Sequence, residues 1–354
     1  MQKTAIDIKE LATGYMVNKE KKIISEHITA SIYSHELTCL LGPNGAGKST
    51  LLRTLAGFQP SLGGSIEIDG MDMKSYKSKD LARLISVVLT DNSNIKNMTA
   101  YDVVAMGRAP YTGFWGKLKE TDKKFVEKSL EWVGISELAQ RKMQTLSDGE
   151  RQKVMIAKSI AQDTPIIFMD EPTAFLDYPS KIQMMLLLHR LAKSLKKTIF
   201  LSTHDLEHAL QVADHIWMLD KEKGLTTGSP EDLTALGMID EYFNCDGITY
   251  DRNNCTFNIA HETSREVVVN GNKTSLEYKL CCKALIRNGI RPVNDRVDPV
   301  KLLVPGDGTY RLYENGEEIY NVNRIEYLLG TVVPTIVKNQ ISEIRKAANM
   351  TQFE

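Results

Sequence analysis

No apolar run in these 354 residues approaches the roughly 18 needed to span a bilayer. The opening residues, Met1-Gln2-Lys3-Thr4-Ala5-Ile6-Asp7, lack the apolar centre of a secretory signal. Net charge is also missing. With 44 basic and 45 acidic side chains the chain sits at −1, so no bulk field draws it to nucleic acid or an anionic membrane. These absences predict a cytosolic chain whose membrane role, if it has one, runs through a partner. Cysteine is sparse: Cys39, Cys245, Cys255, Cys281 and Cys282. The adjacent pair matches no common zinc spacing, and free reduced thiols are expected. No heptad run and no internal repeat stands out. What remains is 42% hydrophobic and 25% charged, an ordinary globular balance over a length that suggests about two domains.

The stretch Leu41-Gly42-Pro43-Asn44-Gly45-Ala46-Gly47-Lys48-Ser49-Thr50 fits the pattern G-x-x-x-x-G-K-[ST] of a phosphate-binding loop. Before it, Leu37–Leu41 reads as a short buried parallel strand. After it, Thr50–Ala56 has the apolar spacing of a helix. Strand, glycine loop and helix are the context the motif requires. Glycines let successive N–H groups converge on one concavity, and the helix N-terminus adds partial positive charge there. Lys48 is placed to reach β- and γ-phosphates, and the Ser49 hydroxyl to reach Mg²⁺.

Along the chain, Ala5–Ile8, Leu11–Tyr15 and Ile28–Ile32 read as strands, with a charged turn at Lys19–Lys22. Tyr15 is a candidate platform for an adenine ring. Ser65–Gly70 is a half-exposed strand, and Leu81–Leu89 runs into a buried one. Helices are expected over Ala100–Met106 and Glu120–Val133, the second stopped by Gly134. An aromatic loop, Pro110–Gly116, lies between them with few obvious reasons to be buried. Ser147 is a suitable N-cap for a helix through Ala157, with acids in its first turn. Pro165–Glu171 and Lys197–Asp205 are buried strands around an apolar helix, Ile182–Leu195. This alternation predicts a parallel sheet with helices on its faces. Composition changes near Leu236-Gly237. Beyond it come a hairpin about Arg252-Asn253-Asn254, a helix over Tyr278–Arg287 and a hairpin about Glu314-Asn315-Gly316.

Chemistry gathers at the strand ends. Asp170-Glu171 closes an apolar strand, where an Asp holds Mg²⁺ through its water shell and a neighbouring Glu orients and deprotonates the attacking water. His204 ends the next strand, where ligands sit in open parallel sheets, and could bond a γ-phosphate.

Taken in order, Gly42–Ser49, Leu146-Ser147-Asp148-Gly149-Glu150-Arg151-Gln152, Ile166–Glu171, Ala174-Phe175-Leu176-Asp177 and Ser202-Thr203-His204-Asp205 resemble the ATP-binding subunit of an ABC transporter. The resemblance covers about residues 3–235. Thr99–Arg108 further resembles importers of ferric siderophores, haem and cobalamin. The resemblance implies an α/β fold of the P-loop NTPase, ABC ATPase type: a parallel sheet with antiparallel β and helical subdomains over 1–236. A small α+β extension over 237–354 has no counterpart in it, and is a packing or dimerisation appendage or a sensing module. Two copies are implied, packed head to tail at the cytoplasmic face of the membrane. Each ATP would lie between one copy's Gly42–Thr50 loop and the other's Ser147–Glu150. Closure and hydrolysis would drive an integral membrane permease fed by a substrate-binding protein. Tyr15 matches the adenine-stacking aromatic, Glu171 the general base, His204 the switch histidine, and Asp177 the acid of the following loop. ATP and Mg²⁺ are the implied ligands, with Ser49, Asp170 and Thr90 towards the metal, and no nucleic acid is expected.

Two features depart from the pattern. Thr90 stands where the family has a Gln that touches Mg²⁺ and signals to the permease. A Thr is shorter and would need a bridging water, while Asp91 or Asn92 offers an alternative. The signature, usually Leu-Ser-Gly-Gly-Gln, here carries Asp148 and Glu150, two acids facing a polyanion, and altered nucleotide affinity is expected. Two other readings compete: a soluble ATP-driven remodelling factor acting on ribosomes or DNA, and an exporter subunit.

Overall fold

The computed structural model describes residues 3–89, 97–113, 116–243, 246–252, 254–294, 300–330 and 334. The chain divides into two compact units, Met1–Cys245 with Tyr250–Phe257, and Asp246–Thr249 with Asn258–Glu354. Thr90, Asp91, Asn92, Phe114, Trp115, Cys245 and the Asn253 of the first hairpin turn lie outside the described residues.

The first unit is built on a six-stranded sheet. From one edge its strands are Gly224–Gly228, His215–Asp220, Leu37–Leu41, Thr198–Ser202, Ile166–Asp170 and Ile85–Val88. All adjacent pairs are parallel except the first, which is antiparallel. Side chains alternate across a strand, so each central strand feeds two cores. Ile167, Met169, Ile199, Leu201, Ile216 and Met218 face one way, onto the helix Tyr178–Ser194 and the helices over 100–161. Phe168, Phe200, Trp217 and Leu219 face the other way, onto the helix after the phosphate loop and a second sheet. Near-perpendicular ring pairs, Phe168–Phe200 at 5.5 Å between neighbouring strands and Phe200–Trp217 at 5.0 Å across the intervening strand Leu37–Leu41, knit that face together.

The second sheet is antiparallel, ordered Glu20–Tyr33, Thr4–Val17, Gly63–Ile68 and Met71–Asp72. The short strands expected at 5–8 and 11–15 are one continuous strand. Its register shifts between Ile8 and Leu11, where Glu10 takes a left-handed φ of 48°. Such a bulge keeps Ile8 and Leu11 both buried although they stand three positions apart.

The helical part comprises Ala100–Ala105, the 3₁₀ turns Met106–Tyr111, Glu120–Val133 and Asp148–Ala161. Its lock is Arg108. The guanidinium lies 3.0 Å from Asp122 Oδ1, with both side chains under a tenth exposed, and donates to the Ala161 carbonyl at 2.7 Å. It is sandwiched between the rings of Tyr111 (4.1 Å) and Phe125 (4.5 Å). Tyr111 therefore has a packing role that the expectation of a loosely placed aromatic loop did not supply.

In the second unit the helix Leu276–Arg287 packs against a mixed sheet. The strand order is Ile290–Val293, Arg265–Gly271, Val300–Val304, Tyr310–Glu314, Glu317–Val322. The helix connects two parallel neighbours, Arg265–Gly271 and Ile290–Val293. Its Tyr278, Cys281 and Leu285 pack on Val267, Val269, Leu302 and Leu312. Hairpins and a helix were expected in this region, whereas the parallel pairing was not. The run Val267-Val268-Val269 is buried on both faces and carries no alternation to betray a strand.

Truncating Arg108 leaves the buried Asp122 carboxylate uncompensated, a loss of about 3–5 kcal/mol. Arg108→Met is expected to lower the urea midpoint at pH 7 accordingly. Asp122 titrates below the usual carboxylate range, chiefly because the Lys119 backbone N–H bonds it, with Arg108 adding to this. A depressed folded pKa gives stability that is present above the unfolded value of about 3.9 and lost as pH falls through the folded one. The gap between wild type and Arg108→Met should therefore close below pH ~4. A gap that stays constant down to pH 2 contradicts the ion pair.

Candidate functional site

The phosphate loop follows the strand Leu37–Leu41 and turns into the helix Lys48–Leu55, which starts two residues earlier than its apolar spacing suggests. Two glycines make the turn possible. A Cβ on Gly42 would lie 2.2 Å from the Leu219 carbonyl oxygen, so only a bare backbone passes the neighbouring strand. Gly47 sits at φ 102°, and a Cβ there would press on Ile24 and Ser25 at under 3 Å.

Lys48 is buried at the head of the helix. Its ammonium donates to the carbonyls of Gly42 (2.8 Å) and Pro43 (3.1 Å). Burial pulls its pKa down, while the charges of Glu171 and then Asp170 oppose that. Ser49 Oγ donates to Asp170 Oδ1 at 3.1 Å, and the same oxygen accepts from Ser202 Oγ at 2.6 Å. Ser202 also receives the Glu171 backbone N–H, on its hydroxyl at 3.0 Å and its carbonyl at 3.2 Å. Sequence reasoning passed over Ser202; its signal was a hydroxyl at the inner end of an otherwise apolar strand.

Glu171 leaves its strand with a left-handed φ of 48°, a conformation costing a non-glycine residue on the order of 1 kcal/mol. The turn aims its carboxylate at His204, whose Nε2 is 2.6 Å from Glu171 Oε1. His204 Nδ1 lies 3.5 Å from Lys48 Nζ. An imidazole protonated at Nε2 satisfies both contacts, donating to the carboxylate and accepting from the ammonium. The structure thus brings Lys48, Ser49, Asp170, Glu171, Ser202 and His204 into one cluster at the ends of three adjacent parallel strands.

Tyr15 belongs to this cluster by its hydroxyl, which is 2.8 Å from Thr50 Oγ1, while much of the ring stays exposed. Asp177 caps the helix Tyr178–Ser194 by accepting the Ser180 N–H at 2.9 Å, and the Ser180 hydroxyl, followed by that N–H, holds its carboxyl below the usual range. Ser147 and Glu150 close a reciprocal capping box on the helix Asp148–Ala161. The Ser147 N–H donates to Glu150 Oε2 at 2.7 Å, and the Glu150 N–H to Ser147 Oγ at 3.3 Å. Asp148 pairs with Arg151, and Glu150 also faces Arg141 at 3.6 Å. Both acids of the altered signature are therefore paired within the chain. Thr90, expected near the metal, falls outside the described residues.

The loop 42–47 wraps the buried Lys48 ammonium, whose partners are two loop carbonyls, at the N-terminus of a helix; this suits a polyphosphate. Ser49 and Asp170 supply the hard oxygen donors that Mg²⁺ takes.

Comparison with known proteins agrees. The ABC transporter family model matches residues 25–174. An uncharacterized ABC transporter ATP-binding protein of Methanocaldococcus jannaschii is 40% identical over 228 residues, 64% of this chain and 79% of that protein. The ferric enterobactin transport ATP-binding protein FepC of Escherichia coli K12 is 33% identical over 234 residues, 66% of this chain and 85% of that protein. Among solved structures, a dimeric bacterial ABC transporter cassette superposes with a TM-score of 0.53 at 26% identity, covering 60% of this chain and 94% of the cassette. The chain belongs to the ATP-binding subunits of ABC transporters, and it is an ATP hydrolase of that family.

Proposed function

We propose that this chain is the ATPase of an importer for an iron chelate, haem or cobalamin. In this reading two copies pack head to tail on the cytoplasmic face of the membrane, beneath permease subunits supplied by a substrate-binding protein. The observation that carries it is the cluster of Lys48, Ser49, Asp170, Glu171 and His204, a phosphate cradle and a carboxylate–imidazole pair assembled at one sheet edge. The importer class is supported by relatives named for ferric enterobactin and, at 30% identity over 88% of its length, for iron(3+)-hydroxamate import in Bacillus subtilis. No described helix is long and apolar enough to cross a membrane, which suits a subunit that reaches the bilayer through a partner.

Each residue has a chemical task in this reading. Lys48 neutralises the β- and γ-phosphates, replacing the loop carbonyls it now bonds. Ser49 and Asp170 would hold Mg²⁺, which when bound screens the phosphate charge. Glu171 takes the proton of the attacking water, and His204 steadies that carboxylate and then the γ-phosphate. Tyr15 offers its exposed ring to the adenine, anchored through Thr50. Ser147 and Gly149 would close over a nucleotide held by the second copy, and Asp177 would line the same interface. The cassette proper is assigned to 1–236 and an accessory domain to 237–354, where the second unit serves packing, dimerisation or sensing.

Glu171→Gln keeps the shape and removes the base. Turnover is expected to fall by about 10²–10⁴-fold while ATP still binds and the closed dimer accumulates. Hydrolysis assays paired with sedimentation in ATP test both halves; near-normal turnover removes Glu171 from the role. Lys48→Ala deletes the buried cation, and hydrogen bonds to charged groups are worth about 1.5–3 kcal/mol. ATP affinity should weaken at least tenfold in a calorimetric titration, and an unchanged affinity contradicts the assignment.

A further inference from the structure

His204 is followed by Asp205, which begins the helix Leu206–Val212 at the N-cap position. Aspartate is a preferred cap, accepting an N–H of the first turn. Here the carboxylate makes no such bond. It turns aside, Oδ2 lying 3.0 Å from Lys181 Nζ and Oδ1 2.9 Å from His208 Nδ1. His208 is buried, and the Tyr178 ring covers it at a centroid distance of 5.0 Å. Tyr178 and Lys181 stand on the first turns of the helix capped by Asp177. The residue beside the switch histidine is therefore clamped to the helix that follows the loop Ala174–Asp177 by its ion pair with Lys181 rather than by a hydrogen bond, at the expense of its own helix cap.

We infer that Lys181 and His208 are positioning residues for hydrolysis, fixing His204 through Asp205. The inference rests on the assignment of His204 to the hydrolytic site. His204 reaches Glu171 at 2.6 Å and Lys48 at 3.5 Å, a bridge that tolerates little displacement. The loop between strand and helix is only Thr203-His204-Asp205, and the Asp205 N–H is already tied to Thr203 Oγ1 at 3.0 Å. A shift of Asp205 is passed to the imidazole with almost no slack.

Steady-state hydrolysis by the full chain tests this. Lys181→Met keeps the aliphatic stem and removes the charge. It is expected to lower kcat about tenfold, as a misplacement near 1 Å or less does, with KM for ATP changed less than about twofold. Lys181→Arg should recover most of the loss, and Asp205→Asn should reproduce it. Thermal midpoints of each variant within a few degrees of wild type separate positioning from unfolding. A Lys181→Met enzyme with wild-type kcat overturns the inference, as does one whose loss is entirely in KM or is not relieved by Arg. His204→Ala in the same assay separates the two levels. If it retains turnover, the assignment of His204 fails; if it is inactive while Lys181→Met is normal, only the clamp fails.

Discussion

Asp170 Oδ1 is the point on which the site depends. It accepts hydrogen bonds from Ser49, on the helix after the phosphate loop, and from Ser202, at the end of the neighbouring strand. Ser202 in turn receives the Glu171 backbone N–H. One carboxylate thus ties together the phosphate loop, the strand that delivers the base and the strand that delivers the histidine. Charge-assisted bonds of this kind are worth roughly twice a neutral one, and the carboxylate here is largely withdrawn from water. The parallel sheet makes this economy possible. Strands running the same way end at the same edge, so groups far apart in sequence meet there without any long side chain reaching across.

Electrostatics around Lys48 follow from the same arrangement. Burial holds the Lys48 ammonium below its usual pKa, and the charges of Glu171 and Asp170 offset only part of that. The loop carbonyls and the His204 ring occupy the ammonium meanwhile. These are weak, replaceable partners, and phosphate oxygens would exchange for them at small cost. The acids Asp148 and Glu150 show the opposite tactic. The capping box holds the Glu150 carboxyl below the usual range, and Arg151 and Arg141 partner the pair.

The helical part is held by a different device. Arg108 carries a buried ion pair, two aromatic faces and a backbone carbonyl on one planar group, a combination that lysine could not reproduce. It lies in the stretch Thr99–Arg108 that suggested the importer class, and its contacts within the chain are those of a keystone for packing. The capping box at Thr99 and Asp102 opens that stretch in the same spirit.

The chain alone determined the phosphate loop, the apolar strands on either side of it, the order of the acidic and histidine-bearing strand ends, and the cap at Ser147. Each is local: a glycine spacing, a run of buried residues or a polar residue at the first turn fixes it without reference to anything distant. Tertiary structure decided what these residues do to one another. Ser202 became part of the site only because its strand lies beside Asp170. Glu150 closes a capping box because its side chain folds back on Ser147. Asp205 stands at a helix N-cap position but pairs with Lys181, 24 positions earlier in the sequence. The strand Arg265–Gly271 was hidden because a strand buried on both faces has no alternation to read. Pairing across long loops and competition for a single carboxylate are decided by packing, and no local pattern encodes them.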